Sequence, residues 1–127
     1  TALQMITRPD APSYGNMIEL GGTALFEATK QNGVQNSQNH HFYGDILNLF
    51  ISKLVGIKIN PNMTDKNEVE ISPYLPEGID FAKASFDFKS GTLTVNVKKE
   101  NDGLRVEVDA PCGVHGKIIA NGEIKSL

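Results

Sequence analysis

The chain has 127 residues, enough for one domain or for one small domain with part of another. Hydrophobic residues make up 39% and charged residues 21%, which is typical of a globular protein and excludes a disordered tail or a membrane segment. The net charge is −3 and Lys and Arg form no dense cluster, so nucleic acid and anionic membranes are excluded as expected partners. Cys112 is the single cysteine, and the three histidines lack the spacing of a zinc site.

The first predicted helix runs from about Gly15 to Thr29, where apolar residues recur at helical spacing. Gly21 and Gly22 lie inside it, and an interior glycine costs roughly 0.5–1 kcal/mol relative to alanine. Such a pair is tolerated where another backbone or a ligand comes close. The helix is expected to end near Glu27, the last residue of the segment GGTALFE.

A polar loop from Lys30 to Gln38 and two adjacent histidines, His40 and His41, follow. Neighbouring side chains on a regular element do not face the same way, so one histidine is expected to face a site and the other to face elsewhere. A second helix is predicted from Asp45, a capping residue, with apolar residues at i, i+3, i+4 and i+8. Gly56 suits a left-handed stop.

Beyond Gly56 apolar residues alternate with polar ones, which indicates strands. The segment TLTVNVKKENDGLRVEVDA is the clearest hairpin because Asn101, Asp102 and Gly103 separate two alternating runs. Asn121 and Gly122 predict a second turn near the end of the sequence. Five to seven short antiparallel strands need two packed faces to bury their apolar sides, so a small β-sandwich is predicted.

Glu27 is the first candidate for chemistry. A carboxylate near an imidazole and several amides is what carbohydrate cleavage requires, since one group moves a proton and others bind hydroxyls. Hydrolysis of a glycoside usually takes two facing carboxyl groups, and no second motif presents a partner, so we expect a part of a larger enzyme. The residues taken alone nevertheless favour a solvated glutamate over a catalytic one. Glu19, eight residues earlier, is expected to be structural.

Four segments together carry a family resemblance: GGTALFE, NSQNHHFYGDI, LVGI and NEVEISPYLPEGIDFAKASF, which begin at residues 21, 36, 54 and 67. In this order they resemble the C-terminal part of bacterial α-L-rhamnosidases of glycoside hydrolase family 78. The resemblance implies an α+β chain, with the last helices of an (α/α)6 toroid in residues 1–56 and an antiparallel β-sandwich in residues 57–127. Phe26 stands where family members often carry Trp.

The same resemblance implies that Glu27 is the general base and that His40 binds rhamnose. Family members invert the anomeric centre, so the base activates water while an acid protonates the leaving oxygen. That acid is expected in the missing N-terminal part of the parent protein, which makes this chain inactive alone. The implied partners are that N-terminal part and a rhamnose-containing carbohydrate, and no metal or organic cofactor is implied.

Two other functions remain open. The sandwich could be a non-catalytic module that binds carbohydrate or caps the helical domain, because such modules stack exposed aromatic residues on sugar rings. The candidate aromatics are Tyr74, Phe81, Phe86 and Phe88. A related toroid enzyme, another glycosidase or a polysaccharide lyase, is the third possibility. A lyase would use His40 and Tyr43, but the motif centred on Glu27 argues against it.

Overall fold

A computed structural model describes residues 2–28, 37–62 and 64–127 of the chain. The chain divides into two compact units, Thr1–Ile46 and Leu47–Leu127. Among the described residues, the first unit is helical and irregular, and all the strands lie in the second. No helix in the described ranges is long and apolar enough to cross a membrane.

Two short helices begin the first unit, α1 (Ala2–Thr7) and α2 (Tyr14–Glu19). Ser13 caps α2: its hydroxyl accepts a hydrogen bond from the Asn16 N–H at 2.9 Å and donates one to the Arg8 carbonyl at 2.7 Å. The serine is 1% exposed, so both bonds compensate the burial of its hydroxyl. This capping fixes the start of α2 against the turn that follows α1.

The predicted first helix is too long, because α2 ends at Glu19 and the chain does not continue as a helix to residue 28. Gly21 adopts φ +78° and its N–H donates to the Ile18 carbonyl at 2.8 Å, while the Gly22 N–H donates to the Met17 carbonyl at 2.8 Å. This pair of bonds is a Schellman motif, the standard left-handed helix end. The two glycines therefore stop the helix, and Thr29 lies outside the described residues.

The second predicted helix is present as α3 (Ile46–Leu49), which continues into one π-helical stretch, Phe50–Val55. Gly56 ends it with φ +83°, and its N–H donates to the Ile51 carbonyl. The predicted left-handed stop is confirmed. A Cβ at Gly56 would collide with the backbone of Ser72, so glycine also permits the close approach of these two chain segments.

The second unit contains two sheets. One has the order β1 (Ile57–Lys58), β2 (Glu68–Ile71), β6 (His115–Ala120) and β7 (Glu123–Ser126). The other consists of β3 (Phe81–Phe88), β4 (Gly91–Glu100) and β5 (Gly103–Asp109). Both predicted hairpins are confirmed, since β4 pairs with β5 and β6 pairs with β7, each antiparallel.

The two sheets share one hydrophobic core, as the predicted sandwich requires. Its fully buried side chains come from both sheets: Val69 and Ile71 from β2, and Leu93, Val95 and Val97 from β4. The pairings are antiparallel except that of β2 with β6, which is parallel, so the predicted all-antiparallel pattern is wrong at this one place. A parallel pair needs a long crossover, and the three strands β3 to β5 form that connection.

Candidate active site

The predicted catalytic glutamate lies on an irregular segment that is hydrogen-bonded to the histidine segment. The Glu27 N–H donates to the Ser37 carbonyl at 2.8 Å, and the His40 N–H donates to the Leu25 carbonyl at 2.8 Å. The chain therefore returns antiparallel to itself on either side of residues 29–36, most of the predicted polar loop, which lie outside the described ranges. Glu27 and His40 are brought onto neighbouring segments by main-chain hydrogen bonds.

Glu27 does not end a helix, because the Schellman motif stops α2 well before it. Its carboxylate instead accepts a hydrogen bond at Oε2 from the Ser37 N–H at 3.2 Å. The residue is exposed, so water reaches the carboxylate. A general base must come within about 2.6–3.2 Å, between heavy atoms, of the group whose proton it removes, and an exposed carboxylate leaves room for a water molecule at that distance.

His40 and His41 lie side by side, contrary to the expectation that they face different ways. Their rings stack with centroids 5.6 Å apart and planes 2° apart. His40 is extended, with φ −134° and ψ 130°, and His41 begins a 3₁₀ turn, His41–Tyr43. The alternation expected of a regular element does not apply at such a junction. The site therefore presents two imidazoles together.

Phe42 extends this aromatic surface, since its ring centroid lies 5.6 Å from that of His40 and its side chain is 72% exposed. Tyr43 is held from the other side: the Tyr14 hydroxyl donates to the Tyr43 carbonyl at 2.9 Å, and the two rings meet edge to face at 6.1 Å. Partial burial raises the pKa of Tyr14, and Tyr43 and Asp45 raise it further. The hydroxyl thus stays a neutral donor that anchors the 3₁₀ turn to α2.

Sequence reasoning did not assign a role to Ser37 or Phe42. Both lie inside the segment NSQNHHFYGD, so the presence of that motif was the one sequence feature that could have pointed to them. In the structure the Ser37 N–H donates to the Glu27 carboxylate, and the exposed ring of Phe42 lies beside that of His40. Among the described residues, no group of three or more His, Cys, Asp or Glu is arranged to hold a metal ion.

Comparison with known proteins finds similarity to one group of enzymes. Residues 1–54 match the family model of the bacterial alpha-L-rhamnosidase 6 hairpin glycosidase domain. The chain is also 26% identical over 124 residues to an alpha-L-rhamnosidase from Alteromonas sp. (strain LOR). The chain is thus similar to bacterial α-L-rhamnosidases. The alignment covers 91% of this chain and 13% of that relative, so the chain spans a small part of the length of a rhamnosidase.

Solved structures show the same fold. The alpha-L-rhamnosidase from Dictyoglumus thermophilum superposes with a TM-score of 0.79 at 22% identity, over 91% of this chain and 13% of that one. The Streptomyces avermitilis alpha-L-rhamnosidase, solved in complex with L-rhamnose, gives a TM-score of 0.76 at 21% identity, over 91% and 12% of the two chains. The enzyme from Aspergillus terreus gives 0.78 at 13% identity, over 97% and 16%. These rhamnosidase structures confirm the α+β architecture.

Proposed function

We propose that this chain is the C-terminal part of an inverting glycoside hydrolase that releases terminal α-L-rhamnose from glycans or glycosides. In this proposal residues 1–56 are the last helices of the (α/α)6 catalytic domain, and residues 57–127 are its C-terminal β-sandwich. Glu27 is the general base and His40 binds the rhamnose. The general acid belongs to the rest of the parent protein, so the 127-residue chain alone does not hydrolyse its substrate.

The observation that carries the proposal is the pairing of the two segments that hold these residues. The Ser37 amide fixes the exposed carboxylate of Glu27, and the bond from the His40 N–H to the Leu25 carbonyl places the imidazole segment beside it. A base and a sugar-binding group on adjacent segments form half of a glycosidase site. Both residues lie within the stretch that matches the model of a glycosidase domain, which supports a glycosidase as the parent protein.

In this mechanism Glu27 removes a proton from a water molecule, whose oxygen attacks the anomeric carbon of the rhamnose from the face opposite the leaving group. The acid of the parent protein protonates the glycosidic oxygen as its bond to the anomeric carbon breaks. In inverting enzymes the two carboxyl groups stand about 6.5–9.5 Å apart to admit the water. A carboxylate that is exposed and held through one oxygen suits the water-activating role.

Replacement of the carboxylate tests this role. In the full-length gene product, Glu27→Gln keeps an oxygen that can accept from the Ser37 N–H but removes the base, so hydrolysis of an aryl α-L-rhamnoside should slow by roughly 10²–10⁴-fold. Glu19→Gln is the matched control, because Glu19 is exposed at the end of α2, and its rate should stay near that of the unmodified enzyme. A near-normal rate for Glu27→Gln would assign the base to another residue.

The role of His40 has a different kinetic signature. His40→Ala removes a hydrogen bond to a sugar hydroxyl, which should raise KM for the aryl α-L-rhamnoside by about tenfold with a smaller fall in kcat. His41→Ala is the comparison because its ring stacks on that of His40 while its residue begins the next turn. Equal effects of the two variants would mean that the stacked pair, rather than His40, contacts the sugar.

A further inference from the structure

A cleft of about 500 Å³ lies on the outer face of the three-stranded sheet, away from the sandwich core. Phe81 of β3, Lys98 of β4 and Arg105 of β5 are direct cross-strand neighbours and form one row of its floor. Asn96 and Glu107 are cross-strand partners in the adjacent row and also line the cleft. Clefts of this size hold small molecules in many proteins.

Phe81 is the aromatic residue of this cleft, and its side chain is 72% exposed. Alternation along β3 separates it from Phe86 and Phe88, which fall on the other side of the strand. Phe88 packs against the core, and the ring centroids of Phe86 and Phe88 lie 5.3 Å apart. Of the aromatics on β3, only Phe81 therefore presents its ring on the outer face.

Three charged side chains around Phe81 contact one another. The Arg105 guanidinium donates to Glu107 at 2.6 Å and lies 3.7 Å from Glu100, and it retains further N–H groups. Asn96 adds an amide that can both donate and accept. The lining carries three carboxylates, on Asp80, Glu100 and Glu107, and two cations, on Lys98 and Arg105. Charges of both signs this close together favour neither an anionic nor a cationic ligand.

We propose that this cleft is a binding site for a neutral carbohydrate, separate from the site of Glu27. The apolar C–H face of a sugar ring packs on an aromatic ring, as Phe81 offers. The hydroxyl groups of a sugar both donate and accept hydrogen bonds, which matches the mixed guanidinium, amide and carboxylate groups beside it. The inference rests on the geometry of β3, β4 and β5 and does not require that the parent protein be a rhamnosidase.

The test is a titration of the isotopically labelled 127-residue chain, followed by NMR, with a panel of neutral oligosaccharides that includes α-L-rhamnose-terminated ones. At least one should shift the amide signals of Phe81, Asn96 and Arg105. Phe81→Ala should weaken that binding roughly five- to tenfold, as expected for the loss of one stacked ring. Tyr74→Ala is the matched control, since Tyr74 is 67% exposed but does not line the cleft, and it should bind normally.

Asn96→Ala provides a second variant and should also weaken binding, because the amide contacts the sugar edge in this proposal. Both residues are exposed, so both variants should retain the circular dichroism spectrum of the chain. Absence of binding by any oligosaccharide would overturn the proposal, as would binding that Phe81→Ala leaves unchanged. So would self-association of the chain that Phe81→Ala abolishes, because the face would then be an interface between two copies.

Discussion

At the scale of single residues, Asn121 connects the two sheets of the sandwich. It occupies the turn between β6 and β7 with φ +54°, a conformation that asparagine tolerates better than most residues. Its side chain reaches β5, where Oδ1 accepts from the Leu104 N–H and Nδ2 donates to the Leu104 carbonyl, both at 2.8 Å. Because β5 is an edge of the three-stranded sheet, this amide substitutes for a short piece of a neighbouring strand.

Removal of this amide should destabilise the sandwich. Asn121→Ala loses both hydrogen bonds and adds strain at positive φ, so the free energy of unfolding should fall by about 2–4 kcal/mol in urea denaturation. Asn121→Gly keeps the turn conformation and should cost less, about 1–3 kcal/mol. Asn101→Ala, in the exposed turn between β4 and β5, is the control, and a loss there as large as that of Asn121→Ala would contradict the bridging role.

The sequence predicted some residue roles and missed others. Asn121 and Gly122 were predicted as a turn because their chemistry is local, but the bond to Leu104 joins residues 17 apart and left no sequence signal. Glu27 was predicted at a helix end, since apolar spacing continues past Gly21, yet the glycine pair stops the helix first. Its pairing with Ser37 depends on the return of the chain, which periodicity does not encode.

At the scale of elements, a charged row crosses the four-stranded sheet. Lys58 of β1, Glu70 of β2 and Lys117 of β6 are cross-strand partners, and Glu70 lies 3.1 Å from the Lys58 ammonium and 3.0 Å from that of Lys117. The hydrogen bonds from Lys117 and then Lys58 lower the pKa of Glu70 below the ordinary value of a glutamate. The row thus favours the register of both the antiparallel and the parallel pairing.

This row predicts a pH-dependent stability. A carboxyl group whose pKa is lower in the folded state contributes stability above its unfolded pKa and loses it as the pH falls through the folded value. Glu70→Gln should therefore lower the free energy of unfolding by less than about 1 kcal/mol at pH 7, since the three side chains are partly exposed.

The difference between Glu70→Gln and the unmodified chain should shrink below pH 4.5 and in high salt, as measured by urea denaturation across pH. A difference that stays constant from pH 7 to pH 3 would show that the lysines do not act through the charge of Glu70.

Whether a strand pairing could be predicted depended on how close in the sequence the residues that determine it are. The hairpins β4–β5 and β6–β7 followed from alternation and turn residues that stand next to each other in the sequence. The parallel pairing of β2 with β6 did not, because it joins strands more than 40 residues apart. Gly116 makes that pairing possible: a Cβ there would collide with the Val69 carbonyl. Such a close approach becomes visible only when both strands are placed.

At the scale of the whole molecule, the two units differ in how they bury apolar surface. The sandwich surrounds its own core, with Ile71, Leu93 and Val95 fully buried. Among its described residues the helical unit buries only Met17 and Phe26 as apolar side chains, at 4% and 3% exposure, whereas large apolar side chains such as Ile18, at 71%, stay exposed. So few buried apolar side chains give this unit little core of its own. It is consistent with the proposal that these helices pack against the remaining helices of a toroid.

The order of sequence motifs predicted the architecture of the chain better than it predicted the position of each side chain. The segments from GGTALFE to NEVEISPYLPEGIDFAKASF indicated the family, and the matched family model and the rhamnosidase structures agree with that interpretation. The catalytic roles of Glu27 and His40 stay predictions, because the proposal assigns the general acid to residues outside this chain. The proposal is therefore tested by measuring the activity of the full-length gene product.

The most direct measurement is the configuration of the sugar first released. Proton NMR of the full-length gene product acting on an aryl α-L-rhamnoside should show β-L-rhamnose appearing first, with the α anomer forming later by mutarotation. Inversion is the outcome expected if Glu27 activates a water molecule on the face opposite the leaving group. Initial release of α-L-rhamnose would contradict the account, because retention requires a carboxylate that forms a covalent intermediate instead of a water-activating base.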